Sequence, residues 1–394
     1  MDILFQLLEL LELILLLVIG LQVLYLAFFA LGSLFPYRPK LQKEARHHKI
    51  AVIIPGYKED RIIIDTANHA LEQHYPRENY EVVICADSFK PETIEELRKL
   101  DVTVLEVQFE NSTKAKSVNK ALAYLSSSPP DVAVILDSDN VMEAGFLDKI
   151  NKAYASGYKV IQGHRTAKNQ NTSFALLDAI NEEIGNSIFR KGHRVWGVSS
   201  ALIGSAMAFD FEYFKNIMAD IEDVAGEDKL VELKVLKERN TIEYLEDALV
   251  YDEKVSSAKN FSKQRTRWVG VQIYFFKNYF LDGLKEFITR GNFDYFDKAF
   301  QMFLVPKVLL IGLLGFMGVL SLFTPVHPLW LALMLVYFLS LLLAVPRRFY
   351  NLRLLKALLN IPKAILFMVL SILRIRKSTA SKFEVTEKNV TSKS

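Results

Sequence analysis

The sequence predicts an α/β fold with a parallel sheet, placed between apolar segments that would lie in or on a membrane. From residue 38 to about residue 298, short runs of β-branched residues alternate with amphipathic stretches, a pattern typical of alternating strands and helices. Outside that region, residues 13–37 and 308–346 contain no Asp, Glu, Lys or Arg. Hydrophobic residues make up 51% of the chain, which is high for a purely soluble protein.

Charge and cysteine content exclude several classes of protein. The 394 residues carry a formal net charge of only +3, so the composition gives no reason to expect a nucleic-acid partner. Cys85 is the single cysteine, which excludes an internal disulfide and a cysteine-rich zinc site and is compatible with a reducing compartment. No G-x-G-x-x-G or Walker pattern occurs, which disfavours dinucleotide binding and ordinary ATPase chemistry.

Residues 1–37 are predicted to form a transmembrane anchor. At about 1.5 Å per residue, the uncharged run is long enough to cross a hydrocarbon core of roughly 30 Å. Asp2, Glu9 and Glu12 precede it, where a cleaved signal peptide would carry Lys or Arg, so we expect the anchor to be retained. Basic residues follow between positions 38 and 49 and place the next domain in the cytoplasm. We therefore expect a multi-pass protein of the plasma or inner membrane with a cytoplasmic domain.

The soluble middle reads as alternating strands and helices. The predicted strands are residues 50–54, 80–86, 102–107 and 132–136. The predicted helices are residues 60–73, 91–100, 112–125 and 143–155. Ligands of such sheets bind beyond the carboxyl ends of the strands, so the polar residues that follow a strand are candidates for a site. These candidates are Tyr57, Asp87, Asp137 and Asp139.

Asp137 and Asp139 are candidates for holding a divalent metal. They follow a predicted buried strand with one residue between them, and alternate carboxylates at a strand end can share Mg²⁺ or Mn²⁺ with a nucleotide diphosphate. A solvated turn is the alternative interpretation of the same pattern. Asp87 could accept a hydrogen bond from a nucleotide, and Lys114, at the head of a predicted helix, could face phosphate charge.

Two acidic positions compete for the role of a catalytic base. Asp228 lies at the start of a predicted helix over residues 229–239, where a carboxylate is stabilised as an anion. Asp247 follows a predicted strand over residues 241–245, and spacing alone leaves the choice open.

The string QRTRW at residues 264–268 is the most specific in the chain. Two arginines can stabilise a departing diphosphate, and an indole offers a flat surface to a sugar ring. Snorkelling arginines beside an interfacial tryptophan are the alternative interpretation.

The remaining chain is predicted to return to the membrane. Residues 271–299 are interpreted as an interfacial helix region, with an ordinary core-packing helix as the alternative. Residues 300–346 are predicted to hold two transmembrane helices, near 300–323 and 329–345, separated by a short external turn. Residues 347–394 are predicted to form a basic interfacial or re-entrant helix, in preference to a further span, and a cytoplasmic tail.

In this order the motifs resemble those of the membrane-bound family 2 glycosyltransferases, and specifically the processive branch that includes cellulose, chitin and hyaluronan synthases. The likeness extends over residues 51–268 and the membrane flanks. The matching motifs are the opening strand and turn AVIIPGYKE at residues 51–59, Asp87, Asp137-x-Asp139, Gly226-Glu227-Asp228 and Gln264-x-x-Arg267-Trp268. In that family the base precedes a helix and then a strand, which favours Asp228 over Asp247.

The resemblance implies a GT-A type domain over residues 38–270 that binds a UDP-sugar with Mg²⁺ or Mn²⁺. Asp139 would ligate the metal with support from Asp137, and Asp228 would act as the base of an inverting transfer. The implied uridine pocket is Tyr57, Glu59 and Asp87. The implied diphosphate contacts are Lys114, Gln264, Arg265 and Arg267. The implied acceptor contacts are Trp268, Gly204 and Ser205.

Two activities and one non-enzymatic role are compatible with the sequence. The leading hypothesis is extension of a growing β-linked oligo- or polysaccharide. The alternative is a single addition to a lipid acceptor, such as a polyprenyl phosphate or a glycolipid. A membrane anchor whose α/β domain only binds partners is the third. The acceptor would be a glycan or a lipid at the bilayer, and a homo-oligomer or an export partner is compatible with each.

Overall fold

The computed structural model describes residues 2–254, 258–323 and 326–373 and places one eight-stranded sheet at the centre of the chain. The strands are β1 (Ile50–Tyr57), β2 (Tyr80–Asp87), β3 (Thr103–Val107), β4 (Val132–Ile135), β5 (Val141–Met142), β6 (Val160–Ala167), β7 (Met207–Asp210) and β8 (Ile242–Asp252). They lie in the order β3-β2-β1-β4-β7-β6-β8-β5.

The sheet is mixed, which corrects the prediction of a parallel sheet. The strands β3, β2, β1 and β4 are parallel, as the sequence predicts for the first half. Strand β7 then runs antiparallel to both β4 and β6, and β5 runs antiparallel to β8. The antiparallel strands belong to the second half of the domain, where the alternation of strand and helix patterns in the sequence is weaker.

Helices cover both faces of this sheet and extend beyond it. The first eight are α1 (Asp2–Gly32), α2 (Ile63–Leu71), α3 (Pro91–Leu97), α4 (Lys114–Leu125), α5 (Phe146–Ala155), α6 (Ser173–Asn186), α7 (His193–Val195) and α8 (Phe211–Met218). The others are α9 (Glu227–Lys237), α10 (Ala258–Arg290), α11 (Phe293–Gln301), α12 (Lys307–Leu320), α13 (Leu329–Ala344), α14 (Leu352–Leu358) and α15 (Ile361–Leu373). A π-helical segment, Ser187–Gly192, joins α6 to α7.

Alternating side chains of the central strands fill two hydrophobic layers. Ile50, Val52 and Ile54 of β1 point into the layer covered by α2, α3 and α5. Ala51 and Ile53 point into the opposite layer, which is covered by α4, α8 and α9. This period of two is what a strand buried on both faces produces, and it explains why the sequence shows a continuous apolar run there.

Helix α10 is continuous across residue 270, where the sequence predicts a domain boundary. It carries both the QRTRW string and the predicted interfacial stretch. One face of that stretch packs into the protein, with Phe275 fully buried, whereas Leu281 and Ile288 on the other face are each 73% exposed. The core-packing alternative therefore describes one face of this helix.

Of the helices that the structure describes, one, α1, is long and apolar enough to cross a membrane by length and composition. Among the described residues α12 and α13 are shorter apolar helices of 14 and 16 residues. At 1.5 Å per residue they extend only about 21 and 24 Å. Pro306 delays the start of α12 and Pro346 follows the end of α13. Helix α13 coincides with the predicted helix over 329–345, whereas α12 is shorter than the predicted helix over 300–323. A multi-pass protein is not supported.

The apolar helices pack together beside the sheet. Helix α1 contacts α13, and Glu12 Oε1 accepts hydrogen bonds from the His327 backbone N–H at 2.7 Å and from Trp330 Nε1 at 3.0 Å. The predicted turn between α12 and α13 includes Thr324 and Pro325, and the predicted tail includes residues 374–394; both lie outside the described residues.

Candidate active site

A cavity of about 1040 Å³ opens at the carboxyl ends of β1, β2 and β4. It is lined by every residue that the sequence singles out for the site except Ser205 and the competing base Asp247. These lining residues are Tyr57, Glu59, Asp87, Lys114, Asp137, Asp139, Gly204, Asp228, Gln264, Arg265, Arg267 and Trp268. The register explains the first group, because Tyr57 lies directly opposite Asp87 where two parallel strands end.

Lys114 connects the acidic turn to the opposite wall of the cavity. Its Nζ donates to Asp137 Oδ1 and, at 2.5 Å, to the carbonyl oxygen of Gly204. Burial acts to lower the pKa of Lys114, but the negative charges of Asp137 and Glu227 outweigh burial and raise it. The side chain of Thr113 caps α4 and so fixes the start of the helix that presents this lysine. Lys114 is therefore a fixed positive charge in the cavity.

The segment before β7 braces the acidic turn. Ser205 is fully buried and its Oγ accepts from the Asp137 backbone N–H at 3.0 Å, while the same hydroxyl donates to Asn140 Oδ1. Both hydrogen bonds hold the Ser205 hydroxyl inside the protein, and Ser205 therefore does not line the cavity. Gly204 next to it has a φ of +84°, and a Cβ there would lie 3.5 Å from Asp228 Oδ2.

Gly204→Ala is expected to lower both stability and turnover. A side chain at positive φ costs about 1–2 kcal/mol. Relief of this strain would move the backbone at Gly204, whose Cβ position is in van der Waals contact with the carboxylate of Asp228. Thermal unfolding and the turnover number measure the two effects. Gly145→Ala is the matched control, because Gly145 has a φ of −97° and nothing lies within 4 Å of its Cβ position. Equal behaviour of both variants would contradict this prediction.

The first turn of α9 places two carboxylates in the cavity with opposite pKa shifts. Burial acts to raise the pKa of Asp228, but nearby ammonium groups outweigh it and lower the pKa. These groups belong to Lys229, Lys114 and Lys298. Burial and the charge of Asp228 raise the pKa of Glu227 to about 7. Asp228 is therefore ionised at neutral pH and able to accept a proton. The carboxyl group of Glu227 keeps its proton to a higher pH than that of Asp228 does.

Asp87 presents a buried acceptor to the cavity. The side chain is 1% exposed, and Oδ1 accepts from Ser88 Oγ at 2.9 Å. Its other oxygen, Oδ2, is buried and accepts no hydrogen bond from the described residues. A buried acceptor without a donor is costly, so this atom is suited to an N–H group brought in by a ligand.

The QRTRW string occupies the wall opposite the sheet. Arg265 forms an ion pair with Asp178 of α6 and lies over the ring of Trp268, with its guanidinium carbon 4.4 Å from the ring centroid. Gln264 Oε1 is buried and accepts no hydrogen bond from the part of the chain that is described. Trp268 is 39% exposed and lines the cavity together with Arg267. Arg265 thus connects α10 to α6 and packs against the indole of Trp268.

The sequence interpretation missed a buried ionic network that supports the acidic turn. Arg165 of β6 lies 2.8 Å from Glu182 Oε2 and 3.6 Å from Asp137 Oδ2. Lys254 lies 2.8 Å from Glu182 and 2.7 Å from Asp252, whose Oδ1 accepts from Asn140 Nδ2. The sequence does contain an indication of this network. Arg165 lies within a strand of buried residues, and a buried charge needs a partner of opposite charge.

Asp137 and Asp139 fit a divalent ion that is bound together with a nucleotide. They supply hard carboxylate oxygens two residues apart, and Mg²⁺ is usually held by one or two carboxylates plus substrate phosphates and water. No group of three or more His, Cys, Asp or Glu side chains within the described ranges is arranged to hold a metal. The remaining ligands of such an ion would come from the diphosphate.

A mixed eight-stranded sheet with an Asp-x-Asp pair at its carboxyl edge and the carboxylate of Asp228 in the same cavity is typical of a GT-A-like fold for nucleotide-sugar transfer. Residues 47–271, more than half of the chain, match the sequence profile of the family described as "Glycosyltransferase like family 2". The protein belongs to that family and is a glycosyltransferase.

The fold of the chain resembles that of a solved mannosyltransferase structure. The mannosyltransferase PcManGT from Pyrobaculum calidifontis, solved with GDP-Man and Mn²⁺, matches at a TM-score of 0.53 and 16% identity, covering 85% of this chain and 97% of that one. Residues 1–349 of TarS from S. aureus match at a TM-score of 0.41 and 16% identity, covering 84% and 90%. No curated protein sequence matches the chain.

Proposed function

We propose that the protein is an inverting, metal-dependent glycosyltransferase that takes its sugar from a UDP-sugar. The observation that carries this proposal is the cavity, in which the ionised Asp228 lies with Asp137 and Asp139. A sugar hydroxyl is a weak nucleophile until a base removes its proton, and a nucleoside diphosphate leaves more easily when its charge is neutralised. The two halves of the reaction need these two kinds of group in one enclosed space.

The candidate residues at the acceptor and diphosphate positions have separate proposed roles in this reaction. Asp228 accepts the proton of the acceptor hydroxyl as that oxygen attacks the anomeric carbon from the face opposite the leaving group. Lys114 and Arg267 are positioned to stabilise the departing diphosphate, with Gln264 beside them. Arg265 acts through Trp268, which supports the acceptor sugar. Arg265 is thus a positioning residue.

The donor end of the cavity is proposed to hold UDP and the metal. Asp87 Oδ2 would accept from the uracil N–H, with Tyr57 and Glu59 lining the same end. Asp139 and Asp137 would hold Mg²⁺ or Mn²⁺. When bound, the ion supplies charge stabilisation to the diphosphate.

The arrangement in the cell is also a proposal. Residues 38–270 would form the cytoplasmic transferase domain behind an anchor over residues 1–37, and the part of α10 beyond residue 270 would face the bilayer with its exposed apolar side chains.

Two classes of acceptor have separate support. The QRTRW signature, by its resemblance to the processive branch, supports extension of a β-linked oligo- or polysaccharide. The structure supports a single addition to a lipid, because the same cavity continues between α12, α13 and α14, where apolar side chains line it. Membership of the family and the complete acidic set favour both over a protein that only binds partners.

Release of the nucleotide from a panel of nucleotide sugars tests the proposed reaction. Purified protein in detergent is expected to release UDP from one UDP-sugar when Mg²⁺ or Mn²⁺ is present, and not with EDTA. GDP-sugars are the matched control donors, since they differ from UDP-sugars in the nucleobase. Mass analysis of the products then separates a ladder of sugars from one sugar on a lipid. Absence of metal-dependent release from every donor, with acceptors added, would overturn the proposal.

A further inference from the structure

The cavity extends from the donor residues to the apolar helices. Its volume of about 1040 Å³ is at the upper end of what small-molecule sites enclose, roughly 300–1,000 Å³. The donor residues occupy the end at the sheet, and the opposite end lies among the apolar helices. The side chains that line this apolar end are Ile311, Leu341, Leu342, Val345, Leu354 and Leu358.

An arginine without an acidic partner also lines the cavity. Arg190 is 5% exposed, and its Nη1 donates to Asn186 Oδ1 at 3.0 Å. Its Nε donates no hydrogen bond to the described residues, and none of their carboxylates forms an ion pair with it. Burial lowers the pKa of Arg190. The charges of Glu182 and Glu232 act on Arg190 only from a distance. A buried guanidinium that no described carboxylate contacts is costly, and an anion that arrives with a ligand would remove this cost.

The backbone around Arg190 is unusual in the same place. The residue belongs to the π-helical segment Ser187–Gly192, a conformation that is rare and occurs frequently at functional sites. This segment packs against α1, where a Cβ on Gly192 would lie 2.1 Å from the Phe29 carbonyl oxygen. The close approach to α1 fixes the segment and therefore the position of the guanidinium.

A second basic side chain lies beside the apolar end, and burial together with the nearby Arg265 and Arg190 lowers its pKa to about 7. Lys307, the first residue of α12, lines the cavity and has its Nζ 5.5 Å from the ring centroid of Phe189, the neighbour of Arg190. It forms no ion pair with a carboxylate in the described ranges. A bound anion would keep Lys307 protonated beside Arg190, and the two positive charges suit the diphosphate of a lipid-linked sugar. The adjacent apolar walls suit its hydrocarbon chain.

We propose that Arg190 and Lys307 bind the phosphate of a lipid-linked sugar acceptor whose chain lies between α12, α13 and α14. The sugar of that acceptor would then extend toward Trp268 and Asp228, which line the same cavity. This inference rests on the proposed function, because it names the acceptor of that reaction.

Binding of simple probes to the full chain in neutral detergent tests this site without relying on turnover. Farnesyl phosphate carries the anionic head and a chain, farnesol carries the chain alone, and inorganic phosphate carries the head alone. By calorimetry, farnesyl phosphate is expected to bind about tenfold or more tightly than either of the other two. Arg190→Gln is expected to remove the advantage of farnesyl phosphate over farnesol.

Arg347→Gln is the matched control, since it removes one positive charge from an exposed residue near the same helices that does not line the cavity. Binding of UDP with Mn²⁺ is measured on every variant and is expected to be unchanged. If it is lost in Arg190→Gln, the arginine belongs to the donor site and the proposal is overturned. Equal binding of farnesol and farnesyl phosphate would also overturn it.

The inorganic phosphate probe distinguishes a lipid phosphate from a free anion, and a second variant is available if the first misfolds. Inorganic phosphate binding as tightly as farnesyl phosphate would make this a site for a free anion and would overturn the lipid assignment. If Arg190→Gln fails to fold, Lys307→Gln and the comparison of the three probes on the unaltered protein still decide the question. Failure of the proposed transfer would appear separately, as absence of metal-dependent UDP release.

Discussion

Asp228→Asn is expected to reduce turnover by about 10²–10⁴-fold while UDP binding in the presence of Mn²⁺ stays unchanged. The amide occupies nearly the same volume but has no basic oxygen to take the proton of the acceptor hydroxyl. Because the lysines around the cavity hold the pKa of Asp228 below its ordinary value, the native carboxylate is ready to act at neutral pH. UDP release and UDP calorimetry measure the two quantities.

Asp247→Asn is the control that the sequence itself suggests. The residue is exposed and lies in the bulge of β8, where the pairing with β6 skips from Leu245 to Leu249, so this variant should keep full turnover. Retained turnover in Asp228→Asn would place the base elsewhere. Glu227 would then be the next candidate, because it lines the same cavity.

Asp139→Asn is expected to abolish the advantage that Mn²⁺ gives to UDP binding and to lower turnover by about 10³-fold. A divalent ion contributes several kcal/mol to such a reaction, and each 1.4 kcal/mol corresponds to about a tenfold change in rate. The variant should bind UDP with Mn²⁺ no better than the native protein does with EDTA. Calorimetry with and without the metal gives the comparison.

Asp101→Asn serves as the control for the loss of one carboxylate. Asp101 pairs with Arg77 at the surface, with its side chain 79% exposed, and lies outside the cavity. Identical UDP affinities with Mn²⁺ and with EDTA in the native protein would refute the role of the metal, whatever the variant does.

The parallel half of the sheet was predictable because its strands are short and apolar on both faces. Residues 50–54, 80–86, 102–107 and 132–136 each contain or overlap an observed strand, and the polar residues after them meet at one edge. That edge lies at the cavity because parallel strands end on the same side. Local pattern was sufficient for the donor half of the site.

Features that depend on tertiary contacts were not predictable. The sequence places Asp247 at the end of a strand, but β8 continues to Asp252 because it pairs with β6 on both sides of the bulge. The predicted helix over 300–323 is divided in the structure, because α11 ends at Gln301 and α12 starts only after Pro306. The partners of Arg165 and the isolation of Arg190 depend on segments distant in sequence that pack together, which periodicity does not report.

Helix α10 is a continuous helix that connects the wall of the cavity around Trp268 to the segment before α12. Trp268 lies near its beginning, and one turn later Gln272 Nε2 donates to the carbonyl oxygens of Met302 and Leu304 in the connection to α12. A small tilt of the helix would therefore displace the indole and the α12 connection in concert. A displacement of the apolar helices would therefore reach, through α10, the indole that lines the cavity.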